Sequence, residues 1–160
     1  QPIDKPSNPD SSTTENPTTN TPNTPLPGSA QFDYWIHEPL HPKNNTAVTF
    51  KSSIKEPLEI KTIDLHIYEY ELFLNEEKLP SKKKRNKGQW GSVKIWNGNG
   101  LKEQTISFNY NNGFTKASQV EYLFKVTDNN GKVTERIAAF DAATSPWPRD
   151  KIRCSVIYSG

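Results

Sequence analysis

Apolar and polar residues alternate with a period of two along most of the chain after Gln31. The alternation is clearest in three segments, whose apolar positions are Val48 and Phe50 (with Ser52), then Ile63, Leu65 and Ile67, and then Val120, Tyr122, Phe124 and Val126. A period of two is expected of strands with one buried face. Shorter alternations of the same kind are Val93 and Ile95; Ile106, Phe108 and Tyr110; Val133, Ile137 and Ala139; and Ile152, Cys154, Val156 and Tyr158.

Two local signals add detail to this pattern. Leu72 and Leu74 have the opposite parity to Ile67, which predicts a bulge or bend within residues 68–71. Asp128-Asn129-Asn130-Gly131 separates two alternating segments and predicts a hairpin turn. No segment after Gln31 has a 3.6-residue repeat. Seven or eight short strands across residues 31–160 therefore predict one antiparallel, immunoglobulin-like β-sandwich domain.

The segment VEYLFKVTDNNGKVTE, with its aromatic-rich strand running into D-x-x-G, resembles the penultimate hairpin of bacterial immunoglobulin-like and fibronectin type III-like domains. The resemblance covers residues 118–140. It implies a sandwich without the paired cysteines of antibody domains, since Cys154 is the single cysteine. It also places Tyr122 where such domains often carry the tyrosine that ties down a corner.

Residues 1–30 contain seven prolines and six threonines and no aromatic residue. Such a composition cannot bury enough apolar surface to offset its ordering entropy, so we expect a disordered tether. The segment resembles the stretch that follows the lipidated cysteine of mature bacterial lipoproteins, which implies an extracellular or cell-envelope location. Because the chain opens on Gln1, we expect a removed leader and a possible lipid anchor before that residue.

The sequence WIHEPLHP contains His37-Glu38-Pro39-Leu40-His41, which has the H-E-x-x-H spelling of zinc proteases. On a helix that spacing places two histidines on one face to bind zinc. Pro39 lacks the N–H that the helix needs, and Pro42 disfavours helical geometry at His41. We therefore expect no metal here, and interpret the stretch as a linker entering the first strand, with two aromatic residues packed on the sandwich edge, Tyr34 and Trp35.

Other catalytic signals are weak. Cys154 alternates with Ile152 and Val156, which predicts a buried structural thiol. No G-x-S-x-G elbow, phosphate-binding glycine loop or dinucleotide motif occurs in the sequence. A pair of carboxylates could still serve a small secreted hydrolase, since acidic pairs are common. We expect neither an enzyme nor a cofactor.

Five cations lie within residues 79–90, at Lys82, Lys83, Lys84, Arg85 and Lys87. A solvated loop between strands is one interpretation. The other is an anion-binding loop for a sulfated glycan or an acidic protein. Nucleic acid is not an expected partner, because the net charge is only +2 and no basic stripe extends beyond this loop.

Four tryptophans are many for a chain of 160 residues. Trp35 and Trp147 lie near prolines at the two ends of the domain, where we expect them to cap the core. Trp90 and Trp96 could stack on sugar rings as one platform, although large aromatics serve more often as core or interface anchors. The sequence thus predicts a monomeric, non-catalytic cell-surface module that binds an extracellular protein or other ligand. A carbohydrate-binding module is the alternative.

Overall fold

The computed structural model describes residues 29–142 and the backbone of residues 157–159. This part of the chain contains nine β-strands and no helix. The strands are β1 (Gln31–Glu38), β2 (Val48–Lys55), β3 (Ile60–Leu74), β4 (Pro80–Lys84), β5 (Trp90–Asn97), β6 (Glu103–Tyr110), β7 (Ser118–Asp128), β8 (Val133–Asp141) and β9 (Ile157–Ser159).

The strands form two antiparallel sheets. The smaller sheet has the order β1-β2-β6. The larger sheet has the order β4-β3-β7-β8-β9. Strand β5 also pairs with β3, so both β4 and β5 are neighbours of β3. The predicted all-β fold with an antiparallel sandwich arrangement is therefore confirmed.

The core lies between the inner faces of the two sheets. Its largest contributions come from alternate residues of β2, β3 and β7, as the period of two predicted: Val48, Phe50 and Ile54; Ile63, Leu65 and Ile67; and Val120, Tyr122, Phe124 and Val126. Each is at most 1% exposed. Burial of one such side chain stabilises the fold by about 1.5–3 kcal/mol, so this central layer dominates the stability.

The predicted hairpin turn between β7 and β8 is also confirmed. Gly131 has a φ of +85°, which glycine adopts without a steric penalty. The Asp128 carboxylate accepts hydrogen bonds from the backbone N–H groups of Asn130 (2.8 Å) and Lys132 (2.9 Å). The aspartate and the glycine together fix the register of the two strands.

The predicted linker at residues 35–42 is wrong in part, because residues 31–38 are strand β1 and pair with β2. His37 is only 3% exposed and stacks on Phe140 with 4.2 Å between ring centroids. Its Nε2 donates to the Leu40 carbonyl (3.0 Å), so its Nδ1 accepts from the Tyr122 hydroxyl (3.0 Å). Burial lowers the pKa of His37. The histidine of the H-E-x-x-H spelling is thus a hydrogen-bonded core residue on a strand.

Tyr34 and Trp35 of β1, both predicted to pack on the sandwich edge, differ in their surroundings. Trp35 packs against the core, and its Nε1 donates to the Ile137 carbonyl of β8 at 3.2 Å. Tyr34 is 37% exposed, since its position in the strand points away from the core. Trp35 therefore joins the edge of the smaller sheet to the larger sheet, and Tyr34 does not.

Two predicted strand faces are corrected by the structure. Ile95 is 58% exposed, because the ladder between β3 and β5 shifts register between Leu65 and His66 and changes the parity of β5. In β8 the buried residues are Ala138 and Phe140. Val133, Ile137 and Ala139, which the sequence places together on one face of β8, have the opposite parity to these buried residues. Ile137 pairs with Leu123 and Ala139 pairs with Glu121, which are outward positions of β7.

A bulge or bend is predicted within residues 68–71 of β3, but the irregularity lies instead in the neighbouring edge formed by β4 and β5. The ladder of β3 with β7 is regular there. Opposite Glu69, residues 85–89 leave the edge of the sheet, and the backbone of Glu69 bonds to both ends of this excursion: Arg85 N to Glu69 O at 3.0 Å, and Glu69 N to Gln89 O at 2.9 Å. Strands β4 and β5 are therefore two halves of one edge strand, separated by this loop.

Three predictions lie outside the described residues: the tether at residues 1–28, the capping role of Trp147 and the burial of Cys154. Within the described ranges, no helix has the length and apolarity needed to cross a membrane.

Candidate binding face on the larger sheet

Alternate residues of β3 point away from the core because Ile63, Leu65 and Ile67 occupy the inner face. The outward residues combine with neighbours from β4 and β5 into one continuous surface. We call this surface the β3 strip, and it comprises Asp64, His66, Tyr68, Tyr70, Lys82, Lys84, Trp90 and Ser92. The four β3 residues are half-buried, so their rings and polar atoms are held in place and remain accessible.

One end of the strip is a hydrogen-bonded polar chain. Ser92 Oγ donates to Asp64 Oδ1 at 2.5 Å, and His66 Nε2 donates to Asp64 Oδ2 at 2.9 Å. The Tyr68 hydroxyl lies 3.3 Å from His66 Nδ1, and the two rings stack. The carboxylate lies between the serine and the histidine, so His66 is not placed to accept the proton of Ser92. This order differs from that of a nucleophilic triad, in which the histidine is central.

The other end of the strip is aromatic. The Trp90 ring makes edge-to-face contacts with Tyr68 and Tyr70, at centroid distances of 4.9 and 5.2 Å. Each such contact contributes about 0.5–1.5 kcal/mol beyond area burial. Trp90 remains 41% exposed. Burial raises the pKa of both tyrosines, with a further increase from Asp64 at Tyr68 and from Glu121 at Tyr70. Both phenols therefore stay protonated at neutral pH and can donate hydrogen bonds.

Two lysines flank the aromatic end. Lys84 Nζ lies 4.4 Å from the centroid of the Trp90 ring, and Lys82 Nζ lies 4.5 Å from that of Tyr70. Lys82 also contacts Glu121 Oε2 at 2.6 Å, which balances its charge. Lys84 forms no ion pair with a carboxylate among the described residues. The strip therefore carries a carboxylate at its polar end and two lysines at its aromatic end, and one of these lysines, Lys84, is free to pair with an anion.

The five predicted cations do not lie in one solvated loop. Lys82, Lys83 and Lys84 belong to strand β4 and alternate in direction. Lys83 points away from the strip and contacts Glu71 (3.8 Å) and the ring of Phe73 (5.3 Å). Of the predicted set, only Lys87 lies exposed in the excursion at residues 85–89.

Arg85 points inward and pairs with a buried carboxylate. Its Nε lies 3.3 Å from Glu69 Oε2 and donates to Ser118 Oγ at 2.9 Å. Glu69 is 4% exposed and accepts further hydrogen bonds from Ser118 Oγ (2.7 Å), Thr115 Oγ1 (3.1 Å) and the backbone N–H of Gln89 (3.2 Å). Arg85 therefore has a structural partner and is not available to an external anion.

Trp90 and Trp96 lie on opposite faces of the larger sheet. Trp90 is opposite Tyr68, an outward residue, whereas Trp96 is opposite Ile63, an inward one. Trp96 packs against the core. The two rings therefore do not form the single platform considered from the sequence.

The sequence reasoning missed the four β3 residues of the strip. Their signal was present, because the segment IDLHIYEY places polar and aromatic residues at every position between the buried aliphatic ones. In the described part of the chain, no group of three or more His, Cys, Asp or Glu side chains is close enough to hold a metal ion.

Comparisons with known proteins show little similarity. No family model matches the chain, and no curated protein matches it. Among solved structures, the chain is similar to Spo0M, a sporulation control protein from Bacillus subtilis, with 16% sequence identity and a TM-score of 0.46. The matched region covers 75% of this chain and 51% of that protein, so the chain spans about half its length.

Proposed function

We propose that this protein is a non-catalytic binding module that recognises an extracellular protein through the β3 strip. The observation that carries the proposal is the aromatic end of the strip, where Trp90, Tyr68 and Tyr70 are packed against each other and stay accessible. Tyrosine and tryptophan are the residues that most often dominate the binding energy of protein interfaces. Their contacts restrict their rotamers before binding, which lowers the entropy lost on association.

The charges around the aromatic group support a protein partner. Lys82 and Lys84 lie beside Tyr70 and Trp90, Glu121 pairs with Lys82, and Asp64 lies at the polar end of the strip. An interface centre of aromatic residues with a mixed polar rim is typical of protein recognition. A purely basic surface would favour polyanions instead.

The strand order supports the proposed likeness to immunoglobulin-like domains. Strands β1, β2 and β6 face β3, β7 and β8, with β4 and β5 together as an extra edge strand beside β3. Constant-type immunoglobulin sandwiches place their first, second, fourth and fifth strands opposite the third, sixth and seventh, so this chain matches except in its fourth strand, β4–β5, which lies beside β3. Such modules commonly act at cell surfaces, so we place this protein outside the cell, attached through the segment that precedes Gln31.

The order of groups at the polar end of the strip supports a binding role over catalysis. Asp64 accepts hydrogen bonds from both Ser92 and His66, and these contacts hold the strip rigid. The proton of Ser92 is directed at a carboxylate oxygen and not at a nitrogen of His66, so the serine lacks the histidine general base of a nucleophilic triad.

Carbohydrate recognition is the second candidate, because Trp90 is 41% exposed and could stack on a sugar ring. Lys84 covers part of that ring, and the tyrosines meet it edge-on. The surface is therefore less flat than a stacking platform requires.

The full chain should be screened against an array of purified extracellular proteins and an array of glycans. For a protein partner found this way, Trp90→Ala should weaken binding by about 30-fold, which corresponds to a hot-spot loss of about 2 kcal/mol. Leu40→Ala is the matched control: Leu40 is 52% exposed, and it follows β1 of the smaller sheet, away from the strip. It should change binding by less than about threefold.

The outcomes separate the candidates. Binding to glycans alone, lost in Trp90→Ala, would favour the carbohydrate-binding module. A protein ligand whose affinity is unaffected by Trp90→Ala and Tyr70→Ala would show that the strip is not the binding site.

A further inference from the structure

Strands β1 and β6 are the two edges of the smaller sheet, and no described strand pairs with the outer side of either. On its β1 side, Trp35 Nε1 donates to the Ile137 carbonyl, and the backbone N–H of Ala30 donates to Thr134 Oγ1, so this side is joined to β8. On its other side, β6 pairs with β2 and with no other described strand, and two of its side chains contact the larger sheet: Gln104 Nε2 donates to the Asn97 carbonyl (3.5 Å) and the Tyr110 hydroxyl to Gln89 Oε1 (3.4 Å). No hydrogen bond within the described residues occupies the outward backbone groups of β6, so these groups can extend the sheet.

The β4–β5 edge and the β1 edge carry features that hinder strand addition, and β6 does not. The β4–β5 edge of the larger sheet has three consecutive lysines and is interrupted by residues 85–89. Strand β1 shifts register between Phe32 and Tyr34. Strand β6 pairs with β2 over eight residues without a shift, and its sequence EQTISFNY has no lysine, proline or glycine. Natural edge strands usually carry at least one of these protections, so a long unprotected edge marks a pairing site.

The side chains of β6 determine which partner fits. Thr105, Ser107 and Asn109 are exposed on one face, and Ile106 and Phe108 are on the core side. Residues directly opposite each other in an antiparallel pair point to the same face of the sheet. If β6 pairs with β6 of another copy, exposed residues must therefore lie opposite exposed residues and core residues opposite core residues. A twofold axis through Ser107 meets this condition.

We propose that β6 pairs antiparallel with β6 of a second copy of this chain, with Ser107 opposite Ser107. This register places Thr105 opposite Asn109 on the polar face and Ile106 opposite Phe108 on the core side. Glu103 falls opposite Asn111, so no like charges face each other across the axis. Polar and aliphatic–aromatic pairs of this kind stabilise adjacent strands. The two smaller sheets then form one continuous sheet of six strands about a twofold axis.

The N-terminal segment of the same chain is a poorer occupant of this edge. Its seven prolines within residues 1–30 each remove a donor that an added strand would need. A second copy offers eight residues without proline. Pairing through one strand buries less than the roughly 1,200 Å² of a standard interface, so the dimer is expected only at high protein concentration. This dimer replaces the monomer predicted from the sequence. The inference does not depend on the proposed function.

The first test is sedimentation equilibrium of the full chain from micromolar to millimolar concentration. The wild-type protein should dimerise with rising concentration, and Ser107→Lys should remain monomeric, since two lysines would meet at the axis. Ser107→Asp alone should also remain monomeric, and an equimolar mixture of the two variants should dimerise. Asn130→Lys is the matched control, because it adds the same charge at an exposed turn away from β6 and should leave dimerisation unchanged.

The second test is disulfide trapping, which fixes the register. Opposed residues in antiparallel strands have Cα atoms about 4.5–5.5 Å apart, within the range for a disulfide. Ser107→Cys should therefore give a dimer linked through residue 107, identified by peptide mapping. Thr105→Cys should not form a 105–105 link, because Thr105 is opposite Asn109. A monomeric wild-type protein at every concentration, a dimer unaffected by Ser107→Lys, or equal trapping at both positions would overturn the proposal.

Discussion

Arg85 provides the sharpest test of the structure, because a solvated loop and a buried ion pair predict different effects of its removal. In Arg85→Ala the Glu69 carboxylate, which is 4% exposed, loses its cationic partner. Removing one partner of a buried ion pair typically costs about 3–5 kcal/mol. Glu69 would retain its hydrogen bonds from Ser118, Thr115 and Gln89. We therefore expect the lower end of that range, about 3 kcal/mol.

The assay is urea unfolding at pH 7 followed by circular dichroism, with Lys87→Ala as the matched control. Lys87 is exposed in the same loop, and surface substitutions usually change stability by less than about 0.5 kcal/mol. In a separate thermal unfolding experiment, the melting temperature of Arg85→Ala should fall by roughly 12 °C, taking about 4 °C per kcal/mol for a domain of this size. A loss for Arg85→Ala as small as that for Lys87→Ala would refute the buried ion pair. The double variant with Glu69→Gln should recover part of the loss, because the unpaired charge is then removed.

Two further predictions concern the core and a turn. Burial lowers the pKa of His37, so this residue binds a proton more readily in the unfolded chain than in the folded protein. The contribution of His37 to stability is therefore present above pH 6.5 and is lost as the pH falls below that value. The urea midpoint should therefore fall between pH 7 and pH 5, and His37→Phe should reduce this dependence; an unchanged dependence would contradict it. Gly98→Ala should destabilise the fold far more than Gly131→Ala in the same assay. An added Cβ at Gly98 would lie 1.8 Å from the Ile60 carbonyl oxygen. At Gly131 an added Cβ would meet nothing within 4 Å, so only the positive φ is strained, at a cost of about 1 kcal/mol. Equal losses of stability in the two variants would show that the backbone of Gly98 does not lie as close to Ile60 as described.

The sequence predicted the central strands well, because their burial leaves a periodic pattern. Strand β7 is an example: Val120, Tyr122, Phe124 and Val126 are predicted on one face and are all buried there. A strand that lies against the core on one side must alternate, whatever its neighbours are. The fold class follows from such strands alone.

The edge strands could not be predicted in the same way. A run of charges has no apolar alternation, so the sequence favours a loop for the three lysines of β4, a strand defined by its backbone ladder with β3. The sequence favours a linker at His37, because the burial of this residue depends on Tyr122 and Phe140, which are distant in sequence. In the candidate site, Trp90 was predicted, but Tyr68 and Tyr70 were not, since their proximity to it results from strand pairing.

The division of the edge strand at Glu69 has a consequence for how this domain can be altered. Both ends of residues 85–89 are fixed by the backbone of one residue, so the length between them does not influence the pairing of β4 or β5. Gly88 must stay, because a Cβ there would lie 2.7 Å from Glu69 Oε1. Between Asn86 and Lys87, however, a foreign peptide could be inserted and displayed beside Trp90 and Lys84. The same position is where natural variants of this domain could acquire new specificities without refolding the sheet.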